Sequence, residues 1–287
     1  MLAISYIMVF GAVPAAWRAC GSSVSRWLGL GLLVVGYAIA LAIGLLGPLS
    51  MVGIGLLVLA AVAVQPQRRR YVRYLGHAMF IALAIALDRH WLPGFHNLRV
   101  IAAERLTPDA VPFTMYLNLD KPLVGFWLLL VIPWIHAARG WRASLISGVV
   151  GWVVATLSAL LIARWLGMVA WEPKWPQQSA LWLINNLLLV AVTEEVFFRG
   201  YVQGGLRRLL AHRGSADLLA LLISAALFGL EHVSGGGHWI VLAGVAGVVY
   251  GLAYRFGGLP ASILAHFGLD AVHFFLFSYP MLAASVR

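Results

Sequence analysis

Thr193-Glu194-Glu195-Val196-Phe197-Phe198-Arg199-Gly200 sets two carboxylates and a guanidinium within six residues, at the end of the apolar run 181–192. Only 10% of the chain is charged. A charge at membrane depth costs at least a few kcal/mol, so such residues are read first as functional. Glu195 and Arg199 are four apart and share one face of a helix, where they can pair. Glu194 lies about 100° further round the helix and is left outside that pair. An interfacial salt bridge would account for Glu195 with Arg199, but not for the second carboxylate.

The spacing of four recurs twice. Phe228 and His232 stand in Phe-Gly-Leu-Glu-His, and His266 and Asp270 in His-Phe-Gly-Leu-Asp, each pair sharing a helical face within an apolar run. A glutamate pair, two histidines and a further carboxylate are parts for activating water or for holding a metal. The other seven of the nine histidines, His273 among them, have no comparable setting. Asn185 and Asn186 read as hydrogen-bond partners between helices. Phe228, Phe197 and Phe198 read as packing.

These groups need an apolar frame, and the composition supplies one. The 287 residues are 62% hydrophobic, with a mean hydropathy of +0.90. A soluble domain is about half apolar and a quarter charged, so the chain is an all-α, polytopic transmembrane bundle. Twenty basic against ten acidic residues give a net charge of +10, which in a soluble protein would suggest nucleic acid. Here the arginines fall at segment ends, the positive-inside pattern, and no nucleic-acid partner is expected. The 12 tryptophans fit interfacial belts. The single cysteine, Cys20, excludes an internal disulfide and a multi-cysteine zinc site.

Apolar runs near 2–17, 27–46, 49–64, 72–88, 122–138, 143–165, 180–199, 216–232, 238–255 and 259–279 predict eight to ten spans. The segment 1–17 lacks a basic leader and reads as a first, short span. Between the fourth and fifth runs, 88–121 reads as an irregular or interfacial loop. Thirteen arginines, from Arg18 to Arg255, fall on one side of a ten-span arrangement, which predicts that side to be cytoplasmic.

Helix counting then relates the motifs. The helix carrying Glu194 is expected to run past Arg199 and turn at Arg213-Gly214, with Ser215 as N-cap of the next helix. Glu194 lies 20 residues before Gly214 and His232 lies 18 after it. At ~1.5 Å rise per residue the two arms differ by only about 3 Å, which levels Glu194 with His232. His266 lies eight residues past Gly258, roughly 12 Å along its helix. It joins the site if the Gly214 turn protrudes beyond the Gly258 turn.

Glu-Glu-x-x-x-Arg, Phe-x-x-x-His and His-x-x-x-Asp, in that order within an all-helical membrane protein, resemble the CPBP family. These CAAX proteases and bacteriocin-processing enzymes, also called Abi, include the type II CAAX prenyl endopeptidase. The resemblance covers about 181–277. It implies an intramembrane endopeptidase in which Glu194 and His232 polarise the attacking water, while His266 and Asp270 face the oxyanion. Arg199 would hold Glu195 and fix its helix. The prenyl endopeptidase motif ends in Asn where this chain has Asp270, and Asp donates to an oxyanion only when protonated. Asp270 would then orient His266 or be held protonated by burial.

The same residues could hold Zn²⁺ through Glu194, His232 and His266, with water in an open position. No His-Glu-x-x-His occurs, and the family resemblance implies a metal-free, glutamic site. No cofactor is therefore expected, with zinc as the alternative. The expected organisation is 1–175 as transmembrane helices without an assignable motif and 176–287 as the catalytic core. The expected function is hydrolysis of a membrane-associated protein or peptide near its end, as in CAAX, sorting-tail or bacteriocin-like processing. The partners would be that substrate and the lipid bilayer, in the inner membrane of a bacterial host. The alternative class is a non-enzymatic scaffold or proton-coupled transport protein.

Overall fold

The computed structural model describes residues 1–136 and 139–286. Ten helices and one strand pair are described in chain order: α1 (Leu2–Trp17), α2 (Ser23–Ala42), α3 (Ser50–Ala63), α4 (Arg70–Asp88), β1 (Leu98–Glu104), β2 (Phe113–Leu117), α5 (Pro122–Val131), α6 (Trp141–Trp165), α7 (Ser179–Leu209), α8 (Ala216–Glu231), α9 (Gly237–Gly257) and α10 (Leu259–Leu276). Seven of these, α2, α4 and α6 to α10, are long and apolar enough to cross a bilayer, which marks an integral membrane protein. The shorter α1, α3 and α5, of 16, 14 and 10 residues, correspond to the remaining three apolar runs. At ~1.5 Å per residue each is shorter than the ~30 Å hydrocarbon core. The last two residues of the run 122–138 lie outside the described residues.

The segment 88–121 is not wholly irregular, as the strands β1 and β2 pair within it. Each carries β-branched or aromatic residues, Val100 and Ile101 in one and Phe113, Thr114 and Tyr116 in the other. That enrichment suits a pleated surface, and the prolines and charges around it hid the signal.

Two compact units divide the chain. The first holds Met1–Leu98 and Tyr116–Pro133. In it α1 lies against α2 where Gly36 has no side chain: Ser5 Oγ donates to Gly36 O at 2.8 Å, and a Cβ on Gly36 would stand 3.1 Å from Ser5 O. Phe80 stacks on Trp127 at 3.9 Å, and Trp127 Nε1 donates to Leu57 O at 2.8 Å, tying α4, α5 and α3 together. Buried Asp120 anchors the connecting loops through His90 Nδ1 at 2.5 Å and Asn97 Nδ2 at 3.1 Å.

The second unit holds Arg99–Met115 and Trp134–Arg287, and with them every motif residue. Small side chains let its helices close up. A Cβ on Gly151 of α6 would stand 3.0 Å from both Ala253 Cβ of α9 and Ala265 Cβ of α10. One on Gly229 of α8 would stand 2.6 Å from Ile240 O and 3.2 Å from Gly244 of α9. Lipid tails are as apolar as the helices, so close packing of this kind, rather than hydrophobic exclusion, holds membrane helices together. The core so formed includes Ala155, Ala159, Phe198, Phe228, Ala246, Tyr250, Ala265 and Leu269.

At the end of this unit reached by the C-termini of α6 and α10, extended segments lie side by side. Glu172 and Lys174 donate backbone N–H groups to Leu276 O and Phe275 O at 2.9 and 2.8 Å, and Ser278 donates to Ala170 O at 2.8 Å. Val111 and Ala283 add bonds to Met281 O and Asp109 O. The opposite end of the unit carries Arg139, Arg142, Arg207, Arg208, Arg213 and Arg255 at or near the ends of α6, α7 and α9.

Candidate active site

α7 carries Glu194, Glu195 and Arg199 and is unusual in its winding. Four α-helical residues, Val192–Glu195, sit between two π-helical stretches, Asn186–Ala191 and Val196–Gln203. π-Bulges are rare and collect at functional sites. Each extra residue rotates the downstream side chains by about 100° relative to an unbroken α-helix, so counting at 3.6 residues per turn does not give the facing of this segment. The chain continues as helix to Leu209 and turns at 210–215, as the spacing predicts. Ser215 occupies the N-cap of α8, though its side chain makes no capping bond.

Glu195 and Arg199 are both fully buried, with Arg199 Nε 3.1 Å from Glu195 Oε2. Arg199 Nη1 donates to Ser224 Oγ on α8 at 3.2 Å, and that hydroxyl donates to Phe198 O at 2.7 Å. The guanidinium carbon lies 4.8 Å from the centre of Phe228, 5.7 Å from Tyr250 and 5.9 Å from Phe198. Arg199 Nη2 finds no hydrogen-bond acceptor among the described residues; the surrounding rings attract the cation through their π faces instead. Phe228, read from the sequence as packing, therefore also solvates a buried charge.

His266 on α10 receives the other edge of this pair. Its Nδ1 is 2.9 Å from Glu195 Oε1, and its Nε2 is 3.4 Å from Asp270 Oδ2 and 3.9 Å from Glu194 Oε2. Tyr250 stacks on the imidazole at 4.7 Å and 13°, and Phe228 meets it edge-on at 5.6 Å. The ring is thus fixed in its plane with carboxylate oxygens at both edges. A neutral imidazole donates at one edge only, whereas an imidazolium donates at both.

Asn186 has a larger part than its sequence context suggests. Its Nδ2 donates to Asp270 Oδ2 at 3.1 Å, and its Oδ1 is buried without a partner among the described residues. A run of polar contacts therefore crosses three helices, from Asn186 through Asp270, His266, Glu195 and Arg199 to Ser224.

His232 ends α8, and its Nδ1 lies 3.0 Å from Phe228 O. A carbonyl only accepts, so Nδ1 carries hydrogen and Nε2 of the neutral ring keeps its lone pair. With His266, Asp270, Tyr250 and His273 it lines a cavity of about 80 Å³ otherwise walled by apolar residues of α6 and α9. At ~30 Å³ per water that space holds two or three waters. His273 has a buried Nε2 without a partner among the described residues. Sequence reasoning passes over His273, although its spacing of seven from His266, two helical turns, is a signal for the same helical face.

Glu194, Glu195, Arg199, His266 and Asp270 are joined directly, while His232 joins through Phe228, whose ring it meets at 5.0 Å, and through the cavity. Among the described residues no group of three or more His, Cys, Asp or Glu side chains is arranged to hold a metal ion.

No curated protein and no solved structure matches the chain significantly. The stretch that contains both π segments, both glutamates, His232, His266 and Asp270 does match a family model. Residues 176–272 fit the family described as Rce1-like, type II CAAX prenyl endopeptidase Rce1-like, the protease family that the three motifs resemble.

Proposed function

We propose that this protein is an intramembrane endopeptidase of the CAAX type, which hydrolyses a peptide bond near the end of a membrane-associated protein or peptide. The observation that carries this reading is the convergence of Glu194 and Asp270 on His266 Nε2, beside a small cavity that His266, Asp270 and His232 line. In the mechanism we favour, a water drawn from that cavity to the Nε2 edge of His266 gives a proton to Glu194 as it attacks the carbonyl carbon, with the lone pair of His232 orienting it. The carbonyl oxygen becomes an oxyanion and takes a hydrogen bond from His266 Nε2–H, which Asp270 and Glu195 hold in place. Glu194 then returns the proton to the leaving nitrogen as the C–N bond breaks. Burial strengthens each of these interactions, because oriented donors count for more where water is excluded.

The test is cleavage of membrane-anchored reporter peptides, prenylated and unprenylated, by purified wild type and Glu194→Gln in lipid nanodiscs, with and without chelator. Cleavage that needs Glu194 and survives chelation is the expected result. Stoichiometric zinc with loss of activity to chelator would replace the glutamic mechanism by a metal-dependent one. Absence of Glu194-dependent cleavage for every reporter would favour the transport reading, in which the buried polar run from Asn186 to Ser224 carries protons.

A further inference from the structure

A second polar cavity lies at the arginine-rich end of the second unit, apart from His266. It is lined by Arg139, Gln203, Arg207, Asp217, Tyr254 and Arg255, with Gly258 at its edge. Gly258 precedes His266 by eight residues, so the two sites are separated by roughly 12 Å along α10 alone.

Asp217 braces two of the guanidinium groups, Oδ1 lying 2.8 Å from Arg207 Nε and Oδ2 3.1 Å from Arg255 Nη2. Arg139 stands outside that pair and donates from Nη2 to Arg255 O at 3.3 Å. Three guanidinium groups against one carboxylate leave two positive charges around one opening. Arginine forks match phosphate geometry, and basic pockets between membrane helices bind phospholipid head groups. Gln203 supplies an independent observation. It is only 5% exposed, its Nε2 donates to Gly251 O at 3.0 Å, and its Oε1 is buried without a partner among the described residues. That oxygen accepts hydrogen bonds and repels a bare anion, so the ligand should bring a donor as well as a negative charge. Phe256 and Leu218, next in sequence to Arg255 and Asp217, are exposed and offer apolar surface beside the opening.

We propose that this cavity binds the head group of an anionic glycerophospholipid bearing hydroxyl groups, of the phosphatidylglycerol kind. The phosphate lies among Arg139, Arg207 and Arg255, a head-group hydroxyl donates to Gln203 Oε1, and the acyl chains run along the apolar surface outside. The site is independent of the proteolytic reading and stands or falls separately from it.

The experiment titrates the full-length protein in a non-ionic detergent with short-chain phosphatidylglycerol, phosphatidic acid, phosphatidylcholine and inorganic phosphate, following the thermal unfolding midpoint. Wild type is expected to be stabilised by phosphatidylglycerol in a saturable manner, less by phosphatidic acid, and not by phosphatidylcholine. Arg139→Gln, which leaves the Asp217 pairs intact, should weaken the phosphatidylglycerol response by about tenfold in concentration, as for one lost charge-assisted bond. Gln203→Met should respond to phosphatidylglycerol and phosphatidic acid alike. Equal responses to phosphatidylglycerol and phosphatidylcholine, or an unaltered Arg139→Gln titration, would overturn the site. Saturation by inorganic phosphate at the same concentrations would assign it to a soluble anion instead of a lipid. Preference of wild type for phosphatidic acid would overturn the role given to Gln203.

Discussion

His266 Nδ1 and Glu195 Oε1 meet at 2.9 Å although 71 residues separate them, and the same carboxylate turns its other oxygen to Arg199. One buried glutamate thus links the guanidinium in its own helix to the imidazole of α10. Its neighbour Glu194, one position before it, is more open and reaches the other ring nitrogen. Two adjacent residues of one type are therefore separated into a buried structural anchor and a more open group at the Nε2 edge of the ring.

Removing Arg199 should damage the fold before it damages chemistry. Arg199→Ala leaves Glu195 as an uncompensated buried carboxylate, a change that costs about 3–5 kcal/mol. Arg199→Lys should recover only part, since lysine lacks the planar fork that spans Glu195, Ser224 and the aromatic rings. The double change Glu195→Gln with Arg199→Met should be more stable than Arg199→Ala alone. Unfolding in detergent, followed by circular dichroism, measures all three.

Asn186 should matter for turnover more than for substrate binding. Asn186→Ala frees Asp270 Oδ2, and loss of a charge-assisted bond of ~1.5 kcal/mol would slow kcat about tenfold with KM little changed. Asn186→Asp should be slower still, because a second carboxylate would face Asp270. Its activity should recover in part as pH falls, when the two carboxyl groups can share a proton. Activity profiles of both variants against pH test this; equal profiles for Ala and Asp would remove Asn186 from its positioning role.

Lys174, in the loop between α6 and α7, donates from Nζ to Phe277 O, and burial lowers its pKa from 10.5 to about 8. The folded protein therefore holds fewer protons on this group than the unfolded chain between those values. Stability from this linkage is present in full above pH 10.5 and is lost as pH falls through 8. Wild type should gain stability relative to Lys174→Met as pH rises from about 8 to about 10. Solvent reaches part of the side chain, so the gain should be small. Paired unfolding curves across that range decide it; parallel pH dependences would show that Lys174 keeps its ordinary titration.

Gly229→Ala should separate α8 from α9. The added Cβ meets backbone at 2.6 Å, Ile240 O, which no rotamer change can relieve. A loss of about 1–3 kcal/mol is expected, as for overpacking in a core. Activity should fall with it, because Phe228 and His232 flank the position. Gly205→Ala in α7 is the control: nothing lies within 4 Å of its new Cβ, and it should be neutral or stabilising by up to ~1 kcal/mol.

The Glu195–Arg199 pair was legible because spacing of four on a helix is a local property and survives the π-helical winding. His266 was legible only conditionally. Its approach depends on how far the 210–215 turn of α7 extends relative to Gly258, which no local rule gives. The facing of Glu194 was not legible, since hydrogen-bond shifts that create π stretches leave no periodic signature in an apolar run. Asn186 was legible as a hydrogen-bond partner between helices, but not that it would meet Asp270. Tyr250 was missed, because a phenol in an apolar helix resembles ordinary packing until its partner on another helix is known. The strands β1 and β2 were hidden by the prolines and charges of the segment they lie in.

The position of the Glu195 counter-charge has a consequence for how the protein is made. As the chain is synthesised, α7 enters the bilayer before α10 exists, and each lone charge at a helix centre carries an insertion cost of ~2.5–3.5 kcal/mol. Arg199 lies one turn from Glu195 in the same segment, so the nascent helix neutralises this fully buried carboxylate by itself. His266, which completes the hydrogen bonding of that carboxylate, arrives three helices later. A chain stopped after α9 would keep the ion pair but lack the imidazole, and so would leave Glu195 Oε1 without the His266 contact that closes the site.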